Sequence, residues 1–176
     1  MDRHEAITQS YAGIARRIVV PVRVANDKGE SKEYPGLIDT GATNTSVSRE
    51  VAAEMQLVSV GEIDSGTAAG KTKANVYVVD LSLCGGRMHF PKHKVLSANL
   101  TEQPGVEMLI GMDILNHGDF ALTNYQGKTV ATFRIPSQGS LNFVPTAINA
   151  NKFAEEQARR EANRTGKKSK HKKKRA

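Results

Sequence analysis

The chain has 176 residues, 39% of them hydrophobic, which is enough for one modest core plus a tail and too short for two full domains of ordinary size. Its net charge of +7 is unevenly spread: residues 151–176 hold eleven Lys or Arg against three Glu, so the first 150 residues, with fourteen basic and fifteen acidic side chains, are nearly neutral. The single cysteine, Cys84, excludes an internal disulfide and a cysteine-based zinc site and fits a reducing compartment, and no run of about eighteen apolar residues offers a membrane span.

Residues 1–15 lack a basic start followed by an apolar block, so no secretory signal is expected, and they are set apart as an N-terminal segment. Residues 17–24 read as a strand, because Ile18, Val19, Val20, Val22 and Val24 are β-branched, and Pro21 points to an edge position. The polar cluster Asn26-Asp27-Lys28-Gly29 predicts a hairpin turn, and residues 32–38 return as the second strand. Leu37 and Ile38 lead straight into Asp39, and Thr40, Gly41 and Ala42 follow as a tight polar turn. A carboxylate is thereby placed where a strand ends. A buried strand fixes the backbone there while the loop leaves the oxygens open to a cleft. The plainer reading of the same residues is a surface turn in which Asp39 accepts backbone hydrogen bonds and does nothing else.

Residues 37–42, two apolar residues and then D-T-G-A, followed by the hydroxyl-rich 43–48, resemble the active-site motif of the retropepsin-like aspartic proteases. The resemblance implies an all-β half-barrel with one or two short helices and a flap hairpin. It makes Asp39, Thr40 and Gly41 the catalytic group and puts Ala42 beside bound substrate. A two-lobed enzyme carrying two such loops would need about twice this length. One chain therefore supplies one Asp-Thr-Gly, and a homodimer is expected.

Further along, Ser48 is the expected N-cap of a short helix over 49–55 with Val51, Ala52 and Met55 on one side. Residues 57–63 are a strand candidate, and 72–83 return as a long alternating strand. Between them lie Gly66, Thr67, Ala68, Ala69 and Gly70, where the resemblance places the tip of the flap; these five residues are expected to touch the peptide. Gly85-Gly86 predicts a turn and 87–97 another strand. His89 and His93 share one face of it without a nearby carboxylate, so they are read as scattered surface histidines and no metal site is expected.

The second informative stretch is 108–122, M-L-I-G-M-D-I-L-N-H-G-D-F-A-L. Leu109 and Ile110 read as a buried strand ending at Gly111, 112–116 as a short helix, and Gly118 as its stop. This form is similar to that of gypsy-like retroelement proteases and their cellular relatives, in which the strand crosses behind the active-site loop. The resemblance makes Gly111 the crossing point and puts Asp113 on the helix, where the macrodipole stabilises an acid, and not in the catalytic group. Residues 119–123 and 128–135 predict a last hairpin, and 141–144 one more short strand.

The expected organisation is an N-terminal segment (1–15), a retropepsin-like aspartic protease domain (16–145) and a basic tail (146–176), part helical, then disordered from 166 through self-repulsion. The implied activity is an aspartic endopeptidase acting on protein or peptide without a cofactor. The alternative is a catalytically silent dimerisation or peptide-binding module. In either case the tail has the charge to meet nucleic acid or an acidic surface. Cytoplasmic localisation is expected, or nuclear in a eukaryotic cell.

Overall fold

The valine-rich run of the sequence forms β2 (Val19–Ala25), with Val20, Val22 and Val24 turned inward at every second residue, as the pleat requires. Asn26 closes the following turn: its Oδ1 accepts from the amides of Lys28 and Glu30, both at 3.0 Å, and Gly29 takes φ 81°. The chain returns antiparallel as β3 (Ser31–Ile38), placing Pro21 opposite Pro35, where neither residue has an amide to offer the ladder. From Val22 onward β2 is paired on its other side too, and the Pro21 carbonyl accepts from the Cys84 amide at 2.9 Å, so the edge position read from Pro21 does not extend to Pro21 itself.

The computed structural model describes residues 4–67 and 70–172, which cluster into two units divided between Gln138 and Gly139. In the first unit, β3 is followed by β4 (Ser46–Ser48), α1 (Arg49–Glu54), the hairpin β5 (Gly61–Thr67) and β6 (Gly70–Leu83), then β7 (Met88–Ala98), β8 (Met108–Ile110) and α2 (Met112–Leu115). Six strands pair in the order β2-β3-β8-β4-β7-β6, and β6 joins back to β2, so the sheet closes into a barrel with β5 attached outside β6. Closure removes the open edges that a six-stranded sheet would otherwise present. The all-β architecture expected from the sequence is the one formed. Its centre is filled by Val22, Val24, Val47, Leu81, Leu83, Met88, Val95, Met108, Ile110 and Ile114, all fully buried.

Ser48 is the N-cap of α1, its hydroxyl accepting from the Val51 amide at 3.0 Å. The strand expected over 57–63 starts only at Gly61: Gln56 turns the chain at φ 49°, and the Leu57 amide still serves helix α1 by donating to the Ala52 carbonyl.

The N-terminal segment, left without a role by the sequence, contains β1 (Glu5–Ser10). It pairs with β10 (Val130–Ile135), which pairs in turn with β9 (Asp119–Thr123), giving a second, three-stranded antiparallel sheet. Ile7 lies opposite Phe133 and both are buried in the common core. Gly118 serves a different purpose from the helix stop expected of it: a Cβ there would lie 1.8 Å from the Arg134 carbonyl oxygen, so the glycine allows β10 to pass. Its φ is not in the left-handed region, and α2 is capped instead at Asn116.

In the second unit, the strand expected over 141–144 does not form. Asn142 Oδ1 accepts from the Val144 amide at 3.0 Å, and Pro145 sits in the first turn of α3 (Val144–Lys172), where a missing amide costs nothing. Helix α3 runs to Lys172, past residue 166, where disorder is expected from self-repulsion; Ala, Glu, Gln, Lys and Arg are good helix formers, and residues 173–176 lie outside the described residues. No described helix is long and apolar enough to cross a membrane.

Candidate active site

Strand β3 delivers Asp39 to the end of the barrel. The Ile38 amide donates to the Ile18 carbonyl at 2.8 Å and the Asp39 amide to the Ile110 carbonyl at 3.0 Å, so the backbone is held on two sides just before the loop. Asp39 itself is half-buried, while Thr40 and Gly41 are exposed. The turn is locked locally: Gly41 donates its amide to Asp39 Oδ1 at 2.9 Å, and Ala42 donates to the Asp39 carbonyl at 3.2 Å. A Cβ on Gly41 would sit 3.2 Å from Asp39 Oδ1, a tighter approach than a side chain normally makes. The carboxylate thus has one oxygen committed to its own loop.

The rest of the loop is clamped to β8 and α2. The carbonyls of Ala42 and Thr43 accept from the amides of Met112 and Asp113 at 2.8 and 3.1 Å, satisfying donors at the start of α2 that have no partner within the helix. Strand β8 runs parallel to β3, with Leu37 beside Leu109 and Ile38 beside Ile110, and Ile110 fully buried. At Gly111 the two segments come so close that a Cβ would lie 2.6 Å from the Asn44 carbonyl carbon and 2.9 Å from the Thr45 amide nitrogen. Glycine is required at this crossing by backbone contact, not by its torsion angles.

Thr45, fully buried, ties these pieces together. Its hydroxyl donates to Asp113 Oδ1 at 2.7 Å and accepts from the Gly111 amide at 3.1 Å, while its own amide points at both Asp113 oxygens, 2.9 and 2.8 Å away. The Ile114 amide adds a bond to Oδ1 at 3.0 Å, and His93 Nε2 lies 3.1 Å from Oδ2. Burial alone raises the pKa of Asp113, but the hydrogen bonds from His93 and Thr45 outweigh it and hold this carboxyl below its ordinary range. Asp113 is therefore an anchor for the loop, with its lone pairs already engaged.

His93 is not the surface histidine expected. Its side chain is 17% exposed and stands edge-on to Phe90, with ring centroids 6.2 Å apart, whereas His89 on the same strand is exposed. No local pattern could have shown this, because Asp113 lies twenty residues further along the chain. Thr45 likewise carries no local signal that sets it apart from Thr43, Ser46 and Ser48, the other hydroxyls after the motif. Among the described residues no group of three or more His, Cys, Asp or Glu could hold a metal ion.

The hairpin β5–β6 carries the other expected site residues. Gly66 lies opposite Lys71 and Thr67 opposite Gly70 across its ladder, and Gly70 takes φ 121°, a conformation that favours glycine. Ala68 and Ala69 lie outside the described residues.

With this geometry in view, residues 21–117 match the family model described as "gag-polyprotein putative aspartyl protease". Among solved structures, the chain is similar to a retropepsin-like aspartic protease from Rickettsia conorii (14% identity, 77% of this chain and 98% of that one, TM-score 0.47). It is also similar to EIAV protease in complex with an inhibitor (19% identity, 60% and 90% covered, TM-score 0.43) and to the retroviral protease-like domain of Ddi1 from Leishmania major (15% identity, 59% and 77% covered, TM-score 0.34). A comparison with curated protein sequences finds no match.

Proposed function

The chain belongs to the retropepsin-like aspartic proteases, in the gag-polyprotein aspartyl protease family, and from that membership we propose that it is a homodimeric aspartic endopeptidase whose two copies of Asp39 form the catalytic dyad. The observation that carries this reading is the setting of Asp39: a half-buried carboxylate at a strand end, in a loop braced from behind by β8 and α2. A turn whose aspartate merely capped its own backbone would have no need of that bracing.

A two-fold axis next to the loop brings the two carboxyls together. So close, they cannot both ionise easily and hold one proton between them, the situation that the aspartic proteases themselves exemplify. The ionised member takes a proton from a water lying between the two, and the water oxygen attacks the carbonyl carbon of the peptide bond. The protonated member hydrogen-bonds to the carbonyl oxygen as charge develops there. Collapse of the tetrahedral intermediate breaks the C–N bond, and the proton taken from water goes to the leaving amine. Thr40 is assigned a hydrogen bond to the opposite loop, and the Gly41 amide, already on Asp39 Oδ1, steadies the dyad. Ala42 and the hairpin tip, Gly66 to Gly70, are assigned to the substrate backbone, the hairpin closing as a flap that excludes water. The basic tail is assigned a separate, salt-sensitive contact with nucleic acid or another polyanion.

The test is Asp39→Asn, with dimerisation followed by sedimentation. Cleavage of an unfolded protein substrate is expected to disappear while the dimer persists, and wild-type activity to follow dimer concentration. Cleavage that survives the substitution would show that Asp39 is not the catalytic acid.

A further inference from the structure

We propose, resting on the reading of Asp39 as the catalytic acid, that His93 is a positioning residue for the active-site loop, acting through Asp113 on Thr45. Strand β7 holds Thr45 twice. The direct hold is the Leu96 amide, which donates to the Thr45 carbonyl at 3.0 Å. The indirect hold starts three residues earlier on the same strand, where His93 Nε2 meets Asp113 Oδ2 at 3.1 Å and Asp113 in turn receives the Thr45 amide and hydroxyl. The four residues close a ring that spans β7, α2 and the segment leading from the Asp-Thr-Gly turn into β4.

The direction of the His93 bond follows from its partner. An ionised carboxylate only accepts, so Nε2 carries the proton and donates. Among the described residues, Oδ1 is served by the Thr45 hydroxyl and by the Thr45 and Ile114 amides, whereas Oδ2 has the shared Thr45 amide and His93. Without His93, the second oxygen keeps only its share of the Thr45 amide, and the carboxylate, still held at Oδ1, is less narrowly oriented. Thr45 is then less firmly gripped, and with it Gly111, whose amide rests on the Thr45 hydroxyl, and the crossing behind Asp39. A displacement well under an ångström at a reacting carboxylate is enough to slow chemistry while leaving peptide binding nearly untouched.

His93 also packs against Phe90, so a loss seen in one variant could be a packing effect. Two substitutions separate the causes. His93→Phe keeps a ring and removes the donor; His93→Gln removes the ring and keeps an amide N–H of similar reach. In the purified full-length dimer, His93→Phe is expected to lower kcat about tenfold with KM within about twofold, and His93→Gln to stay within about threefold of wild type. Amide hydrogen exchange of Thr45 and Gly41, read independently of catalysis, is expected to quicken about tenfold in His93→Phe only. Wild-type kcat and Thr45 exchange in His93→Phe, or equal impairment of both variants, overturns the proposal. If instead Asp39→Asn leaves cleavage unchanged, the protease reading fails, and the exchange of Thr45 in His93→Phe still decides whether His93 holds this loop.

Discussion

Thr45→Val removes a single oxygen from the fully buried centre of the site while keeping the side chain's shape. Two bonds go with it: one donated to the charged Asp113 at 2.7 Å, worth about 1.5–3 kcal/mol, and one accepted from the Gly111 amide at 3.1 Å, whose loss strands that N–H at a cost of about 1–3 kcal/mol. The added methyl recovers about 0.8 kcal/mol of burial, so the net loss is about 2–5 kcal/mol, a large part of a total stability on the order of 5–15 kcal/mol. Urea denaturation near neutral pH, followed by circular dichroism, measures it as a fall in midpoint at unchanged slope. Thr45→Ser is the control: it keeps both bonds, loses a methyl, and is expected to cost about 1 kcal/mol. A Val variant within about 1 kcal/mol of wild type, or a Ser variant as damaged as Val, would refute the assignment of this hydroxyl as the link between loop and helix.

Gly111→Ala forces a Cβ to within 2.6 Å of the Asn44 carbonyl carbon, and since only backbone can yield there, it is expected to cost about 3 kcal/mol or more and to abolish proteolysis even where the fold survives; melting temperature and activity check both. Asp119 accepts from the Gln138 amide, the Ser137 hydroxyl and Arg134 Nε, which together lower its pKa from 3.8 to about 2. Its folded value lies below the unfolded one, so its stabilisation is fully present above pH about 4 and is lost as pH falls through about 2. An Asp119→Asn variant is expected to be less stable than wild type above pH about 4, with the gap closing toward pH 2 in a pH series of thermal melts.

The sequence by itself determined whatever is written within a few neighbouring residues. The alternating valines of β2, the Asn26 turn, the Ser48 cap and the paired glycines at 85 and 86 each specify local hydrogen bonds or a torsion preference, and each formed where expected. The strand-end carboxylate at Asp39 was legible for the same reason, since Leu37, Ile38 and Gly41 are its immediate neighbours. Tertiary structure decided the contacts between segments that the chain brings back from afar. The pairing of β1 with β10 joins residues far apart in the chain, Glu5 with Ile135 and Ser10 with Val130, the barrel closes where β6 returns to β2, and Gly118 is required by the Arg134 carbonyl, not by the helix before it. His93 and Asp113 belong to the same class: neither carries a local signal for the other, and only the placement of β7 against α2 turns a histidine read as a surface residue into a support for the loop. Periodicity and capping act over one turn or one pleat, whereas these contacts depend on where loop closure returns the chain, which no short window of residues encodes.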